Sequence, residues 1–210
     1  MTPPSSSIAI VTLVTSSSFF PGLHVLLHSL TKTVPSIGKA HKLMVLYTPG
    51  SLLPPNFAIL SKYGCSAVLV DQIPLPMKET ASTQWLDTYT KLRIFDPVVY
   101  GENVPKAALY IDADCLVQGD PLVYVRNALD DPEWNGFSAA PDVFPPDRFN
   151  AGVLIVRPDK KVFDAQMLVS KLSCAVQTAL RRSKHAAPIE TRYPLVHTCV
   201  WPARLTLPPP

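Results

Sequence analysis

The stretch AALYIDADCLVQGDPLVY, Ala107 to Tyr124, sets an apolar run directly ahead of two carboxylates one residue apart, Asp112 and Asp114. Ala107 to Ile111 has the make-up of a buried strand, and Gly119 with Pro121 supplies a turn soon after it. In mixed α/β proteins the carboxyl ends of such strands open onto the ligand crevice, so acidic groups there face a ligand rather than the core. Hard oxygen donors in that place suit a divalent cation, Mn²⁺ or Mg²⁺, which would in turn grip a diphosphate. The expectation is a metal-dependent nucleotide-sugar site. The plain alternative is a polar loop after a strand, because short acidic pairs are common on solvated loops. A second strand-like run with a polar end, FNAGVLIVRPD from Phe149 to Asp159, favours the first reading.

Outward from this stretch the chain alternates strand and helix. Ile8 to Val14 is rich in β-branched residues and ends in the polar turn Thr15 to Ser18, which predicts a first buried strand. Pro21 suits a first helical turn, and Leu23, Leu26, Leu27 and Leu30 recur at helical spacing. Lys42 to Tyr47 is a second predicted strand, Pro54 and Pro55 open a helix that ends at Gly64, and Ala67 to Val70 is a third strand. This order is that of parallel βαβ winding. WLDTYTKLRIF, residues 85 to 95, is predicted as a helix. Phe137 to Ala140 and Val153 to Val156 are two further strands, the second launched from a turn at Asn150, Ala151 and Gly152. A long amphipathic helix follows, with Val162, Ala165, Val169, Leu172, Val176 and Ala179 on one face. Beyond about Arg182 prolines recur and periodicity ends, so residues 8 to 182 form the expected domain and 183 to 210 a Pro-rich irregular tail.

With 210 residues and 47% hydrophobic content, the chain supports one domain with a substantial core. The net charge of +3 is spread over scattered Lys and Arg, and no basic run interleaves with aromatics, which speaks against nucleic-acid binding. Cys65, Cys115, Cys174 and Cys199 are too far apart for a zinc or haem spacing and are expected to be free, mostly buried thiols. No run approaches the roughly 20 apolar residues of a membrane span. IAIVTLVT follows an uncharged start and lacks a small-residue cleavage pattern, so it suits a core strand better than a signal peptide. A reducing, cytoplasmic setting is the expectation.

Four blocks carry a family resemblance: VTLVTSSSFFPGLHVLLHSL (Val11 to Leu30), TKLRIF (Thr90 to Phe95), LYIDADCLV (Leu109 to Val117), and SAAPD with FNAGVLIVRP (Ser138 to Asp142, Phe149 to Pro158). In this order they resemble glycosyltransferase family 8, the glycogenin and galactinol synthase group, from about Ile8 to Leu172. That resemblance implies the GT-A fold, a Rossmann-like α/β sandwich binding a UDP-sugar and Mn²⁺ (or Mg²⁺), here C-terminally incomplete. By position, Leu13, Val14, Thr15 and Ser16 match the loop that holds uracil and ribose, largely through backbone. Phe19 falls where an aromatic ring stacks on uracil, or else is a core aromatic beside Phe20. Lys91 matches a lysine near the donor sugar and phosphates, its alternative being a solvated helix face. Asp112 and Asp114 match the metal-binding pair, Ala113 a backbone position near the ribose, and Asn150, Ala151 and Gly152 a segment lining the sugar pocket.

The implied reaction is hexose transfer from UDP-glucose or UDP-galactose to a hydroxyl acceptor (carbohydrate, inositol or protein tyrosine), with retention. No covalent nucleophile stands out, so a front-face route is expected, in which charge stabilisation of departing UDP carries the catalysis. The resemblance leaves room for a homodimer.

The family's late Asp-Gln segment and its His block with Gly and Lys are not recognisable. The Asp-Gln pair present, Asp71 and Gln72, stands at the end of the third strand. His197, in LVHTCVW, only faintly matches the late histidine as a metal ligand. An arginine found before the lysine helix has no counterpart between Glu79 and Gln84. A truncated or non-catalytic nucleotide-binding relative, and a plain α/β binding or scaffold domain, therefore stand as alternatives.

Overall fold

Ile8–Val14 (β1) is buried along its whole length, which requires cover on both faces of the sheet. The computed structural model describes residues 8–37, 40–73, 88–141 and 149–170. Alternation along β1 sends Ile8, Ile10 and Val14 into one hydrophobic cluster and Ala9, Val11 and Leu13 into the other. Five further strands complete the sheet: Lys42–Tyr47 (β2), Ser66–Leu69 (β3), Ala107–Ile111 (β4), Phe137–Pro141 (β5) and Phe149–Val156 (β6), in the order β3-β2-β1-β4-β6-β5. The first four strands in that order pair in parallel. β6 runs antiparallel to β4 and to β5.

The parallel half follows the sequence expectation closely. Phe20–Thr33 (α1) carries Pro21 in its first turn and buries Leu23, Leu26, Leu27 and Leu30. Ser29 is buried beside them; its hydroxyl donates to the Leu26 carbonyl and accepts the Val117 amide at 3.1 Å. That bond ties the segment after β4 to α1. Pro54–Lys62 (α2) starts where the Asn56 side chain accepts the Leu53 amide at 2.7 Å. It ends before Gly64, whose φ of 67° only glycine adopts freely. β3 begins one residue before its predicted start and is mostly exposed.

Three elements differ from expectation. Thr88–Phe95 forms 3-10 turns rather than an α-helix, since Thr90 turns its hydroxyl to the Ile73 amide and Pro97 closes the segment. Residues 85–87 lie outside those described. Leu122–Asp130 (α3) is a helix to which the sequence reading assigns no element; it buries Leu122 and Val125. Asn150, Ala151 and Gly152 are not a turn but part of β6. The tertiary reason is that β6 pairs on both sides, Val153 with Ile111 and Asn150 with Ala140. A register shift between Ala139 and Ala140 frees residues between those pairings from the β5 ladder. The long C-terminal helix is described over 160–170; its expected continuation, the Pro-rich tail, Cys174, Cys199 and His197 lie outside the described residues, as does the interval from Glu79 to Gln84. Cys65 and Cys115 are free and half-buried, and burial pushes the Cys65 thiol up to about 12. No helix among the described residues is long and apolar enough to cross a membrane.

Candidate active site

Period-two alternation on β4 puts Tyr110 on the same face as Ala108 and, one step past the strand end, Asp112 on that face too. Asp112 is then held from three directions. Its amide donates to the Gly152 carbonyl at 2.8 Å, Tyr110 Oη donates to its Oδ1 at 2.6 Å, and Lys91 Nζ lies 2.8 Å from Oδ1 and 2.9 Å from Oδ2. Lys91 also reaches the Ala151 carbonyl at 3.4 Å and stands 5.4 Å from the Tyr110 ring centroid. Burial first, and the Asp112 charge second, push the Tyr110 hydroxyl well above its ordinary pKa, so it stays a donor. Lys91 is thus no solvated lysine: its side chain is 20% exposed.

Asp114 differs from its neighbour. It is exposed, and no ion pair to it occurs among the described residues. Ala113 between them is buried, and its carbonyl lies where a side chain on Gly22 would collide, 2.9 Å from the Cβ position. The first turn of α1 therefore rests directly on the backbone of the acidic pair. Gly152 has a similar reason to be glycine: a Cβ there would stand 2.8 Å from Asn150 Oδ1 and 3.2 Å from Asp112 Oδ2. Asn150 Oδ1 accepts the Gly152 amide at 2.7 Å, which fixes that approach.

The turn after β1 reaches the same end of the sheet, because β1 and β4 are parallel neighbours. Leu13 and Val14 are buried and offer a ligand only backbone. Thr48 braces this turn, its amide on the Val14 carbonyl at 3.2 Å and its hydroxyl on the Thr15 carbonyl at 3.3 Å. Ser16 caps the next turn by accepting the Ser18 amide. Phe19 is 42% exposed, which speaks against the core alternative.

Of the residues singled out from sequence, the structure gathers Lys91, Asp112, Asn150, Ala151 and Gly152 into one contact network. Tyr110 and Gly22 were missed. The signal for Tyr110 was present: a phenol two residues before an aspartate on one strand shares its face. Beside Lys91 and Ala151 opens a cavity of about 300 Å³ whose walls include Tyr89, Phe137, Phe149 and Arg157.

A divalent cation that arrives with a diphosphate takes one or two protein carboxylates and completes its shell from phosphates and water. Asp112 and Asp114 meet that need in donor type and number. No group of three or more His, Cys, Asp or Glu side chains gathers among the described residues, so these do not form a cage for a cation alone. With about four acceptor directions on a carboxylate, Asp112 keeps capacity beyond Lys91 and Tyr110.

No family model matches the chain. It is 28% identical over 165 residues to glycogenin of Cryptococcus neoformans var. grubii, covering 74% of this chain and 17% of that protein. It is also 28% identical over 163 residues to inositol phosphorylceramide glucuronosyltransferase 1 of Arabidopsis thaliana, covering 78% of this chain and 27% of that protein. The chain thus spans well under half the length of these curated relatives. Among solved structures it superposes on the galactosyltransferase LgtC in complex with donor and acceptor sugar analogues, with a TM-score of 0.55, 20% identity, and coverage of 78% of this chain and 65% of that one. Mouse xyloside xylosyltransferase 1 gives a TM-score of 0.54 at 12% identity, over 82% of this chain and 74% of that one. In sequence the chain is thus similar to glycogenin and to a glucuronosyltransferase, and its fold is the GT-A fold of glycosyltransferases such as LgtC.

Proposed function

We propose that residues 8–182 bind a UDP-hexose, UDP-glucose or UDP-galactose, together with Mn²⁺ or Mg²⁺, and transfer the hexose with retention to a hydroxyl acceptor. The observation that carries this reading is the clamped Asp112 at the carboxyl end of β4. Lys91 and Tyr110 fix its carboxylate, Asp114 stands exposed beside it, and Gly152 lets the Asn150 and Asp112 side chains approach the backbone closely. Asp112 and Asp114 would hold the cation, which when bound supplies positive charge against the departing diphosphate. Lys91 adds a compact cation that can turn from Asp112 to a phosphate oxygen. Gly152 and Ala151 leave room for the sugar ring, and Phe19 offers a face to the uracil. Both carboxylates are spoken for as ligands, so the reading takes a front-face route with no covalent intermediate. The acceptor is a carbohydrate, inositol or protein tyrosine hydroxyl, and the setting is cytoplasmic.

The test is thermal unfolding of the purified chain with UDP and Mn²⁺, singly and together, beside an Asp112→Asn, Asp114→Asn double variant, followed by sugar release from UDP-glucose and UDP-galactose. Saturation at about a hundred times Kd adds roughly 2.7 kcal/mol to the folded state. Stabilisation that needs both ligands and disappears in the double variant supports the donor site. A cooperatively folding wild type that ignores both ligands overturns it. Binding without turnover would leave a nucleotide-binding relative without transferase activity.

A further inference from the structure

We propose that Tyr110 is a positioning residue of the donor site: its hydroxyl holds the Asp112 carboxylate in one orientation, so that the aspartate stays aimed at the cation when Lys91 turns away to the diphosphate. This rests on the donor-site reading above and adds a residue to it.

A hydroxyl inside a sheet core is costly unless it finds a partner, and phenylalanine would fill the same space without that cost. Among the described residues two such phenols are buried, Tyr100 and Tyr110, each 1% exposed. Tyr100 donates to the Ile94 carbonyl at 2.7 Å, a neutral anchor between neighbouring segments. Tyr110 instead donates to Asp112 Oδ1 at 2.6 Å, the short distance of a charge-assisted bond. Its ring is buried in the hydrophobic cluster that includes Ala108, Leu154 and Val156, which restrains the donor.

The backbone of Asp112 is already pinned, since its amide bonds the Gly152 carbonyl. What remains free is the side-chain torsion, and two groups restrain it. Lys91 is one, but its ammonium is shared with the Ala151 carbonyl and the face of Tyr110 and sits on a flexible stem. The other is Tyr110, rigid and buried. Once Lys91 serves a phosphate, Tyr110 alone among the described side chains keeps the carboxylate oriented. Partners of this kind around metal ligands typically set affinity by about 10- to 100-fold.

The experiment compares wild type, Tyr110→Phe, Tyr100→Phe and Lys91→Met by calorimetry. The Mn²⁺ half-saturation is read at fixed UDP, and UDP affinity at saturating Mn²⁺. Tyr110→Phe keeps the ring and leaves Asp112 paired with Lys91, which preserves the fold; unfolding curves without ligand check this for every variant. Expected for Tyr110→Phe is a Mn²⁺ midpoint raised about 10-fold, with UDP affinity recovered once Mn²⁺ saturates. Lys91→Met should keep weak UDP affinity at any Mn²⁺ concentration. Tyr100→Phe should lower stability and leave the Mn²⁺ midpoint in place. An unchanged midpoint in Tyr110→Phe, or an equal shift in Tyr100→Phe, overturns the proposal while the donor site stands. A wild type without any Mn²⁺ and UDP response removes the donor site and this role together.

Discussion

Lys91 Nζ stands almost equidistant from the two carboxylate oxygens of Asp112, 2.8 Å from Oδ1 and 2.9 Å from Oδ2. One ammonium therefore occupies the aspartate that a cation would need, and the two compete. A positive charge on either partner of a carboxylate lowers the affinity for another until one of them moves.

Lys91→Met should consequently have opposite effects on two ligands. Binding of Mn²⁺ alone should strengthen by several-fold, because Asp112 loses its resident counter-charge. Binding of UDP with Mn²⁺ should weaken about 10-fold or more, because the diphosphate loses a neutralising group. Titration of each ligand by calorimetry separates the two effects. Parallel changes in both would show that Lys91 acts only on the fold.

Gly152→Ala probes the space beside Asp112. The added Cβ would stand 2.8 Å from Asn150 Oδ1 and 3.2 Å from Asp112 Oδ2, so the end of the Asn150 side chain must swing off the Gly152 amide and Asp112 must give slightly. Losing that hydrogen bond costs about 0.5–1.5 kcal/mol. Urea unfolding should register that loss, and stabilisation by UDP with Mn²⁺ should shrink further than the stability loss alone explains. Full retention of the ligand response would mean that the site does not use this space.

Burial on both faces made β1 and β4 legible in sequence, since Ile8–Val14 is apolar but for Thr12 and Ala107–Ile111 is a continuous strand-length run, each bounded by turn signals. The convergence of Lys91 with Asp112 was legible only through family resemblance, because 21 residues and a change of element separate them. Asn150-Ala151-Gly152 carries turn chemistry, yet pairing of β6 with β4 and β5 overrides it. α3 was hidden by its length: nine residues with two buried leave little periodicity to count. In sequence Tyr110 reads as one more residue of an apolar strand, although its offset of two from Asp112 puts both on one face.

His41 gives the fold a pH dependence. It lies half-buried just before β2, with Nδ1 enclosed and lacking a hydrogen-bond partner among the described residues. Burial lowers its pKa below 6.5, Arg126 adds to that, and Asp120 opposes it. The unfolded chain then binds the proton more readily than the folded one, so the stability contribution is complete above about pH 6.5 and is lost as pH falls through the lower folded value. His41→Gln should flatten the decline of the unfolding midpoint below that pH. Asp120→Asn, by removing the group that favours the proton, should lower the folded value further, so the decline still begins near pH 6.5 but runs deeper and extends to lower pH. Identical slopes in wild type and His41→Gln would assign the acid sensitivity to other groups.

Gly22→Ala tests whether α1 has to touch the acidic pair. Helix propensity alone favours alanine by about 1 kcal/mol. Against this, the new Cβ would lie 2.9 Å from the Ala113 carbonyl oxygen and 3.3 Å from Asp114 Cα. Both are backbone atoms that cannot rotate aside, so the helix or the loop must shift, at about 1–3 kcal/mol. The net expectation is a loss of stability together with a weaker response to UDP and Mn²⁺, since Asp114 moves with its Cα. Gly119→Ala provides the matched control on the same loop: nothing lies within 4 Å of its Cβ position, and its φ is not positive. There the substitution should stabilise slightly, by about 0.4–1 kcal/mol, through the unfolded chain. Equal behaviour of the two alanine variants in urea unfolding would refute close packing of α1 on the Asp112–Asp114 backbone.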